Sequence, residues 1–224
     1  MKKVEPSIIV YFIAVCLVLV AILTGNETLK LLSRSAVLPS LLFYYFQKSK
    51  KVRELYIICL LFCFLGEIII MLYQSMKLVW EIIVFFCSYL ILIKCGLDDI
   101  SLKKIKSYYL FFWIGILLFL GFLLFSILDF INEPQIDLYL TYLFFGLILI
   151  TLFCVSMLNY FTNSTISSLY FSAMALCVVL SDVFFSFYRF IDQLLVFNCI
   201  NVFFQLISYY FMVMYFIERK PKLV

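Results

Sequence analysis

The sequence contains no histidine, and charged residues make up only 13% of its 224 positions. A soluble globular domain carries about a quarter charged residues, so this composition argues against a water-soluble protein. The absence of histidine removes the commonest metal ligand and the commonest general base. The sequence also lacks a Walker A loop, a dinucleotide-binding fingerprint and a G-x-S-x-G motif. We therefore expect no metal site and no cofactor.

Apolar residues are abundant instead: they account for 67% of the chain, which has a mean hydropathy of +1.16. A chain of this size cannot bury so much apolar surface in water, so lipid must solvate it. Long continuous apolar runs favour helices over the alternating pattern of a membrane barrel. The sequence predicts a single all-α transmembrane domain, 1–224, built as a polytopic bundle of about eight helices.

The eight predicted spans are separated by charged residues or turn signals. Approximate spans are Ser7–Thr24, Ser35–Phe46, Leu55–Tyr73, Leu78–Leu97, Tyr108–Phe130, Leu138–Leu158, Ser167–Phe187 and Leu194–Ile217. Breaks fall at Gly25-Asn26, Asn132-Glu133-Pro134 and Asn163-Ser164. The second span is the weakest, because it reaches membrane length only by starting near Thr28 and including Lys30 and Arg34.

Basic residues predict the orientation of these spans. Of the 17 Lys and Arg residues, 13 fall on the side that holds both chain ends. Because Lys and Arg are retained on the cytoplasmic side, both termini are predicted to be cytoplasmic in a multi-pass protein of the plasma membrane. This topology and attraction to anionic lipid headgroups explain the basic clusters around Lys48 and Lys103. We therefore expect no nucleic-acid partner.

Two acidic residues lie well inside predicted spans, where a charge costs about 2.5–3.5 kcal/mol on insertion scales, whereas Glu81 lies near the start of the fourth span and can reach the interface. Glu67 lies in the third helix and Asp182 in the seventh, and both fall in the outer half of the predicted bundle. Ser186 and Arg189 share a helix face with Asp182. The eighth helix carries a polar stripe at helical spacing, which should face the bundle interior: Asn198, Asn201, Gln205, Ser208 and Tyr209.

A structural interpretation stands beside the functional one. Buried Asn, Gln and Ser side chains often only join helices, and Asp182 could pair with Arg189 on its own helix. A functional site is favoured for the two acids, because a structural hydrogen bond does not need a carboxyl group. Glu67 is followed by Tyr73, and Asp182 by Tyr188, at the same offset. This echo suggests an internal repeat of four plus four helices.

The polar residues of the seventh and eighth helices carry a resemblance to a known family. Ser181-Asp182 is followed by Arg189-Phe190, and then by Gln205 and Tyr209-Tyr210. Together with Gly66-Glu67, where the family usually has Gly-Asp, these motifs resemble the lysoplasmalogenase-like (YhhN) family of eight-span membrane proteins. Helix number and chain length match over the whole chain, whereas the motifs fall mainly in the last fifty residues.

The resemblance implies an intramembrane lipid hydrolase that cleaves the vinyl-ether bond of lysoplasmalogens. Glu67 and Asp182 would be the catalytic pair, one donating a proton and the other accepting one. Asn201, Gln205, Tyr209 and Tyr210 would bind substrate or water, and Arg189 would meet the lipid phosphate. The expected partners are membrane lipids and a lysophospholipid-type substrate. Headgroup, oligomeric state and the division of roles between the two carboxyls stay open.

Two other functions remain open from the residues alone. Glu67 and Asp182 could be the proton or cation sites of a small transporter, or the chain could be a non-catalytic membrane scaffold. Eight cysteines lie mostly within the spans and form no C-x-x-C pair, so we expect buried free thiols in a reducing cell. The many Phe and Tyr residues are interpreted as lipid-facing side chains and interfacial belts.

Overall fold

The computed structural model is an all-α bundle, and it describes residues 5–49, 51–72, 79–100, 107–130 and 136–219. Eight helices follow one another within these ranges. They are α1 (Pro6–Thr24), α2 (Glu27–Lys48), α3 (Glu54–Leu72), α4 (Val79–Asp99), α5 (Ser107–Asp129), α6 (Ile136–Asn163), α7 (Ile166–Phe190) and α8 (Leu195–Glu218). The predicted fold class, a helical bundle without strands, is therefore confirmed for the described part of the chain.

Several of these helices are suited to a membrane. Five of them, α1, α3, α6, α7 and α8, contain described segments long and apolar enough to cross a bilayer. In α5, the apolar segment within the described residues is shorter, Trp113–Asp129. Phe119, Phe122 and Phe125 of this helix are exposed, as expected of side chains solvated by lipid. The protein is thus a multi-pass helical membrane protein.

Two of the predicted breaks are confirmed in detail. Gly25 ends α1 in the left-handed conformation, with φ of 68°, and the Asn26 side chain then accepts a hydrogen bond from the Leu29 amide to begin α2. α6 ends at Asn163, and Thr165 caps α7 through a reciprocal pair of bonds with Ser168. The third break, Asn132-Glu133-Pro134, lies outside the described residues.

The second helix differs from the apolar run that predicted it. The run covers Ser35–Phe46, and α2 extends it back to Glu27, which confirms the start near Thr28 that membrane length required and includes both Lys30 and Arg34. Hydropathy misjudges this segment because it scores Arg34 as a charge placed in lipid. In the structure Arg34 is buried among polar side chains of α3 and α8, so its charge never faces lipid.

Side-chain contacts define the directions of the helices. Arg34 bonds to Gln205 and Tyr44 approaches Met214, so α2 and α8 run parallel. Ser7 bonds to Gln47, so α1 and α2 are antiparallel. We call the end with Glu5, Lys48 and Arg219 the terminal end. The end with the α1–α2 and α7–α8 connections is the connection end. α8 packs against α1, α2 and α7.

Aromatic residues do more than cover the lipid-facing surface. Tyr11, Tyr45, Tyr56 and Tyr215 are fully buried, and Tyr56 stacks on Phe216 with ring centroids 4.1 Å apart. The interpretation of the aromatics as lipid-facing bulk is therefore wrong for these residues. Tyrosine can fill a helical core when its hydroxyl finds a partner, as the Tyr11 hydroxyl does by donating to the Leu206 carbonyl at 2.8 Å.

A group that we call the terminal cluster closes the terminal end: Arg219, Asp99, Tyr215 and Tyr56. Arg219 donates from Nε to both carboxylate oxygens of Asp99, at 3.0 and 2.7 Å, and from Nη1 to Tyr56 at 2.8 Å. Tyr215 donates to the same carboxylate at 2.8 Å. Burial by itself would lower the pKa of Arg219, but the hydrogen bonds to Asp99 and the electrostatic interactions with Tyr215, Cys95 and Asp99 together outweigh this and raise the pKa. The cluster joins α3, α4 and α8.

Candidate functional site

A second charged group lies deeper in the bundle, nearer the connection end. We call it the cavity cluster: Arg34, Glu67, Gln205 and Tyr209. Arg34 donates from Nε to one carboxylate oxygen of Glu67 and from Nη2 to the amide oxygen of Gln205, the latter at 2.8 Å. Tyr209 donates to the other Glu67 oxygen at 2.6 Å. Arg34 and Glu67 are 5% and 2% exposed, so this is a buried ion pair with hydrogen-bonded surroundings.

Local sequence explains how three helices meet at this cluster. Gln205 and Tyr209 are four residues apart on α8, so they lie one above the other on one face. Glu67 follows Gly66, where an added Cβ would come within 2.7 Å of the Phe85 ring on α4. Glycine at this position therefore lets α3 and α4 pack closely where Glu67 turns inward toward α2 and α8.

Asp182 approaches the same region from α7. Its neighbour Ser181 donates to the side-chain oxygen of Asn201 at 2.8 Å. Asn201 lies one helical turn from Gln205 on α8, toward the connection end. Ser181 and Asn201 are both buried, and Asp182 itself is half-buried. The polar groups of α2, α7 and α8 thus lie within about one or two turns of one another in depth.

A cavity of about 290 Å³ opens between these polar groups and the opposite helices. What we call the polar wall comes from α2, α7 and α8: Lys30, Arg34, Ser181, Asp182, Ser186, Asn198, Asn201, Gln205, Ser208 and Tyr209. α7 and α8 also contribute apolar residues, among them Met174, Val178, Val183 and Met212. What we call the apolar wall comes from α4, α5 and α6, whose lining residues are mostly apolar apart from Tyr89 and Tyr142: Ile82, Phe85, Leu92, Leu120, Leu124, Ile127, Phe145 and Leu149. A cavity lined by polar residues of one set of helices and mostly apolar residues of another fits an amphiphilic molecule.

The structure brings together most of the residues predicted for the site. Asp182, Asn201, Gln205 and Tyr209 line the cavity. Glu67 belongs to the same cluster but does not line the cavity, because Arg34 and Tyr209 engage its two oxygens. Their catalytic and binding roles remain predictions. Tyr73, on which the proposed repeat depends, lies outside the described residues.

Two predicted residues lie elsewhere. Arg189 is exposed and does not line the cavity. Tyr210 faces α1, where its ring stacks with Tyr11 at a centroid distance of 6.1 Å. The motif Tyr209-Tyr210 therefore separates into one cavity residue and one packing residue, since neighbouring residues on a helix point about 100° apart.

Sequence reasoning missed the importance of Arg34 and Lys30. Hydropathy scores both only as charges that weaken the second span, yet both line the cavity. Their spacing of four residues was the available signal, because it places them on one helix face. An arginine and a glutamate that each fall within an apolar span are also candidates to pair with one another.

The described cysteines and acids offer no metal centre. All eight cysteines are free, and among the described residues no group of three His, Cys, Asp or Glu side chains could hold a metal ion. Cys63 is the one cysteine among the cavity-lining residues. Comparison with known proteins adds no assignment, because no protein-family model, curated protein or solved structure matches this chain.

Proposed function

We propose that the protein is an intramembrane hydrolase that cleaves the vinyl-ether bond of lysoplasmalogen-type lipids. The observation that supports this proposal is the composition of the cavity, which Asp182 and other polar residues of α2, α7 and α8 line together with mostly apolar residues of α4, α5 and α6. A single-chain lipid could place its hydrocarbon against α4, α5 and α6 and its polar part against α2, α7 and α8. The resemblance in the seventh and eighth helices points to the same substrate class.

The chemistry requires one carboxyl group that alternates between acid and base. Asp182 in its protonated form gives a proton to the vinyl carbon remote from oxygen, which produces an oxocarbenium ion. Water then adds to the carbon next to oxygen, and the Asp182 carboxylate takes the proton that water releases. The resulting hemiacetal breaks into a fatty aldehyde and the free hydroxyl of the glycerol headgroup. Asp182 ends in the state in which it began.

Glu67 takes a different role in this proposal from the one implied by the family resemblance. Both of its oxygens already accept hydrogen bonds, one from Arg34 and one from Tyr209. A carboxyl that donated a proton to carbon would have to give up one of these bonds. We therefore assign Glu67 to positioning: it holds Arg34 and Tyr209, and Arg34 in turn holds Gln205. Asn201, Gln205 and Tyr209 are left to orient substrate or water.

The membrane arrangement forms part of the same proposal. Eight crossings, cytoplasmic termini, a plasma-membrane location and a repeat of four plus four helices are inferred from the spans and the basic-residue bias. The alternation of helix directions in the described residues is compatible with this arrangement. With this topology the cavity would face the outer half of the bilayer, because it lies near the connection end.

Aldehyde release by the purified protein tests the hydrolase directly. We expect detergent-purified protein to release aldehyde from an alkenyl lysophospholipid, and Asp182→Asn to lower the rate by about 100- to 10,000-fold. Asp192→Asn is the matched control, because Asp192 is exposed in the α7–α8 connection. If the two variants release aldehyde at equal rates, Asp182 is not a catalytic residue.

A proton- or cation-coupled transporter is the second candidate, because the cavity holds charges of both signs: Lys30, Arg34 and Asp182. Uptake into proteoliposomes that depends on a proton gradient, without aldehyde release, would favour it. If neither activity is found while Glu67→Gln/Asp182→Asn keeps its fold and its cellular effect, the chain would be a non-catalytic scaffold.

A further inference from the structure

Lys30 lies in the polar wall of the cavity, one helical turn from Arg34 toward the connection end. Its side chain is 26% exposed, so it stands near the mouth of the cavity and not in its depth. Its ammonium group pairs with Glu27 at 3.2 Å, and the Glu27 side chain is 69% exposed. An exposed pair of this kind contributes about 0–1 kcal/mol, so a ligand can replace Glu27 at little cost.

The other charges of the cavity wall are differently placed. Among the described cavity-lining residues, the charged side chains are Lys30, Arg34 and Asp182. Arg34 is held by the buried carboxylate of Glu67 and by Gln205, and removing it from them would leave a buried charge unpaired. Lys30 is therefore the cation of this wall that can meet an incoming anion.

Lys30 can be compared with the proposed reacting group, the Asp182 carboxyl, by its depth along the bundle. The bond between Arg34 and Gln205 sets these two residues at one level, and Asn201, bonded to Ser181, lies one turn nearer the connection end. Lys30 is displaced by the same single turn from Arg34. Lys30 and Asp182 thus lie at similar depth, and both line the same cavity.

We propose that Lys30 binds the anionic oxygen group of a single-chain amphiphile, such as a phosphate, sulfate or carboxylate headgroup, while the chain lies along the apolar wall. The inference rests on the cavity in the proposed function, but not on hydrolysis taking place there. It gives to Lys30 the role that the family resemblance implied for Arg189, which is exposed and outside the cavity wall.

Equilibrium binding to the whole protein in phosphatidylcholine nanodiscs tests this assignment, with empty nanodiscs as background. The probes are radiolabelled hexadecyl phosphate, the uncharged monohexadecyl glycerol ether, and inorganic phosphate. We expect hexadecyl phosphate to bind about tenfold more weakly to Lys30→Ala than to the natural protein, since one charge-assisted contact is lost. Lys30→Arg should keep most of the affinity, and the glycerol ether should be unaffected.

The chain supplies a matched control on the same helix. Lys48 lies at the other end of α2 and pairs with Glu5 at 2.7 Å, and these side chains are 39% and 32% exposed. Lys48→Ala should leave hexadecyl phosphate binding unchanged. Glu27→Gln removes the competing carboxylate, so it should strengthen binding by about threefold, and added salt should reduce this gain.

Several results would overturn the assignment. The first is that hexadecyl phosphate binds Lys30→Ala as tightly as the natural protein. The second is that Lys30→Ala loses as much affinity for the uncharged ether as for hexadecyl phosphate. The third is that inorganic phosphate binds as tightly as hexadecyl phosphate. If neither chain-bearing probe binds, the amphiphile cavity and the proposed function both fail. If both probes bind without preference for the charged headgroup, only the role of Lys30 fails. Glu27→Gln and Lys30→Arg keep the test decisive if Lys30→Ala does not fold.

Discussion

The terminal cluster and the cavity cluster use the same chemistry at two depths of one bundle. Each contains an arginine, a carboxylate and a tyrosine hydroxyl that donates to that carboxylate. In the terminal cluster, Arg219 directs one nitrogen to both oxygens of Asp99, and its other nitrogens bond to α3 and α4. In the cavity cluster, Arg34 divides its nitrogens between Glu67 and Gln205, and it borders an open cavity.

The difference lies in access to water and to empty space. Asp99 is 15% exposed at the end of α4, whereas Glu67 is 2% exposed within α3. A carboxylate near the bundle end can be hydrated when its partner is lost, but a carboxylate in the middle of the bundle cannot. The terminal cluster therefore fastens helices together, and the cavity cluster holds polar side chains in place beside a ligand-sized space.

The largest loss of stability is expected for Arg34→Ala. Removing this guanidinium leaves the Glu67 charge buried without its cation, which costs about 3–5 kcal/mol. Equilibrium unfolding in mixed micelles measures the change in free energy. Adding Glu67→Gln to Arg34→Ala should recover part of the loss, because the amide carries no charge. If the double variant is as unstable as the single one, the lost charge pairing is not the cause.

A smaller loss is expected for Arg219→Ala, about 2–3 kcal/mol, because Asp99 can turn toward water once its partner is gone. The same unfolding measurement applies. This variant should still bind hexadecyl phosphate with natural affinity, since Arg219 does not line the cavity of the connection end. Reduced binding in folded Arg219→Ala protein would show that the two clusters are not independent.

The smallest effects come from the two tyrosine hydroxyls, which form a matched pair. Tyr209→Phe removes the second hydrogen bond to Glu67 and should lower the free energy of unfolding by about 1.5 kcal/mol. Tyr215→Phe should lower it by about 1 kcal/mol, because Arg219 still donates hydrogen bonds to Asp99. Aldehyde release should fall only in Tyr209→Phe. Equal stability losses together with equal rates would remove the distinction between the two clusters.

The sequence predicted the polar face of α8 well and the partners of that face poorly. Asn201, Gln205 and Tyr209 were found because polar side chains at helical spacing are conspicuous in an apolar helix. Arg34 was treated as a weakness of the second span, although it is the ion-pair partner of Glu67. Local hydropathy averages each residue with its chain neighbours and contains no information about a partner 33 positions away.

Two other residues of the motifs in α7 and α8 show the same limit of sequence-based prediction. Arg189 and Tyr210 belong to the sequence pattern that suggested the site, yet one is exposed and the other packs against Tyr11. Proximity along the chain placed them near Asp182 and Tyr209. Tyr210 points away from the cavity because it is rotated about the α8 axis from Tyr209. Arg189 lies in the last turn of α7, which ends at Phe190.

Composition and hydropathy alone indicate a helical membrane protein. Long continuous apolar runs favour helices in lipid, because a helix gives every backbone polar group a partner within its own segment. The sequence also indicates that a few polar residues have to face inward. Which of them meet follows from the packing of the helices: Arg34 with Glu67 and Gln205, Ser181 with Asn201, and Arg219 with Asp99. Those pairings depend on how the helices pack against one another, and packing joins residues that lie far apart in the chain.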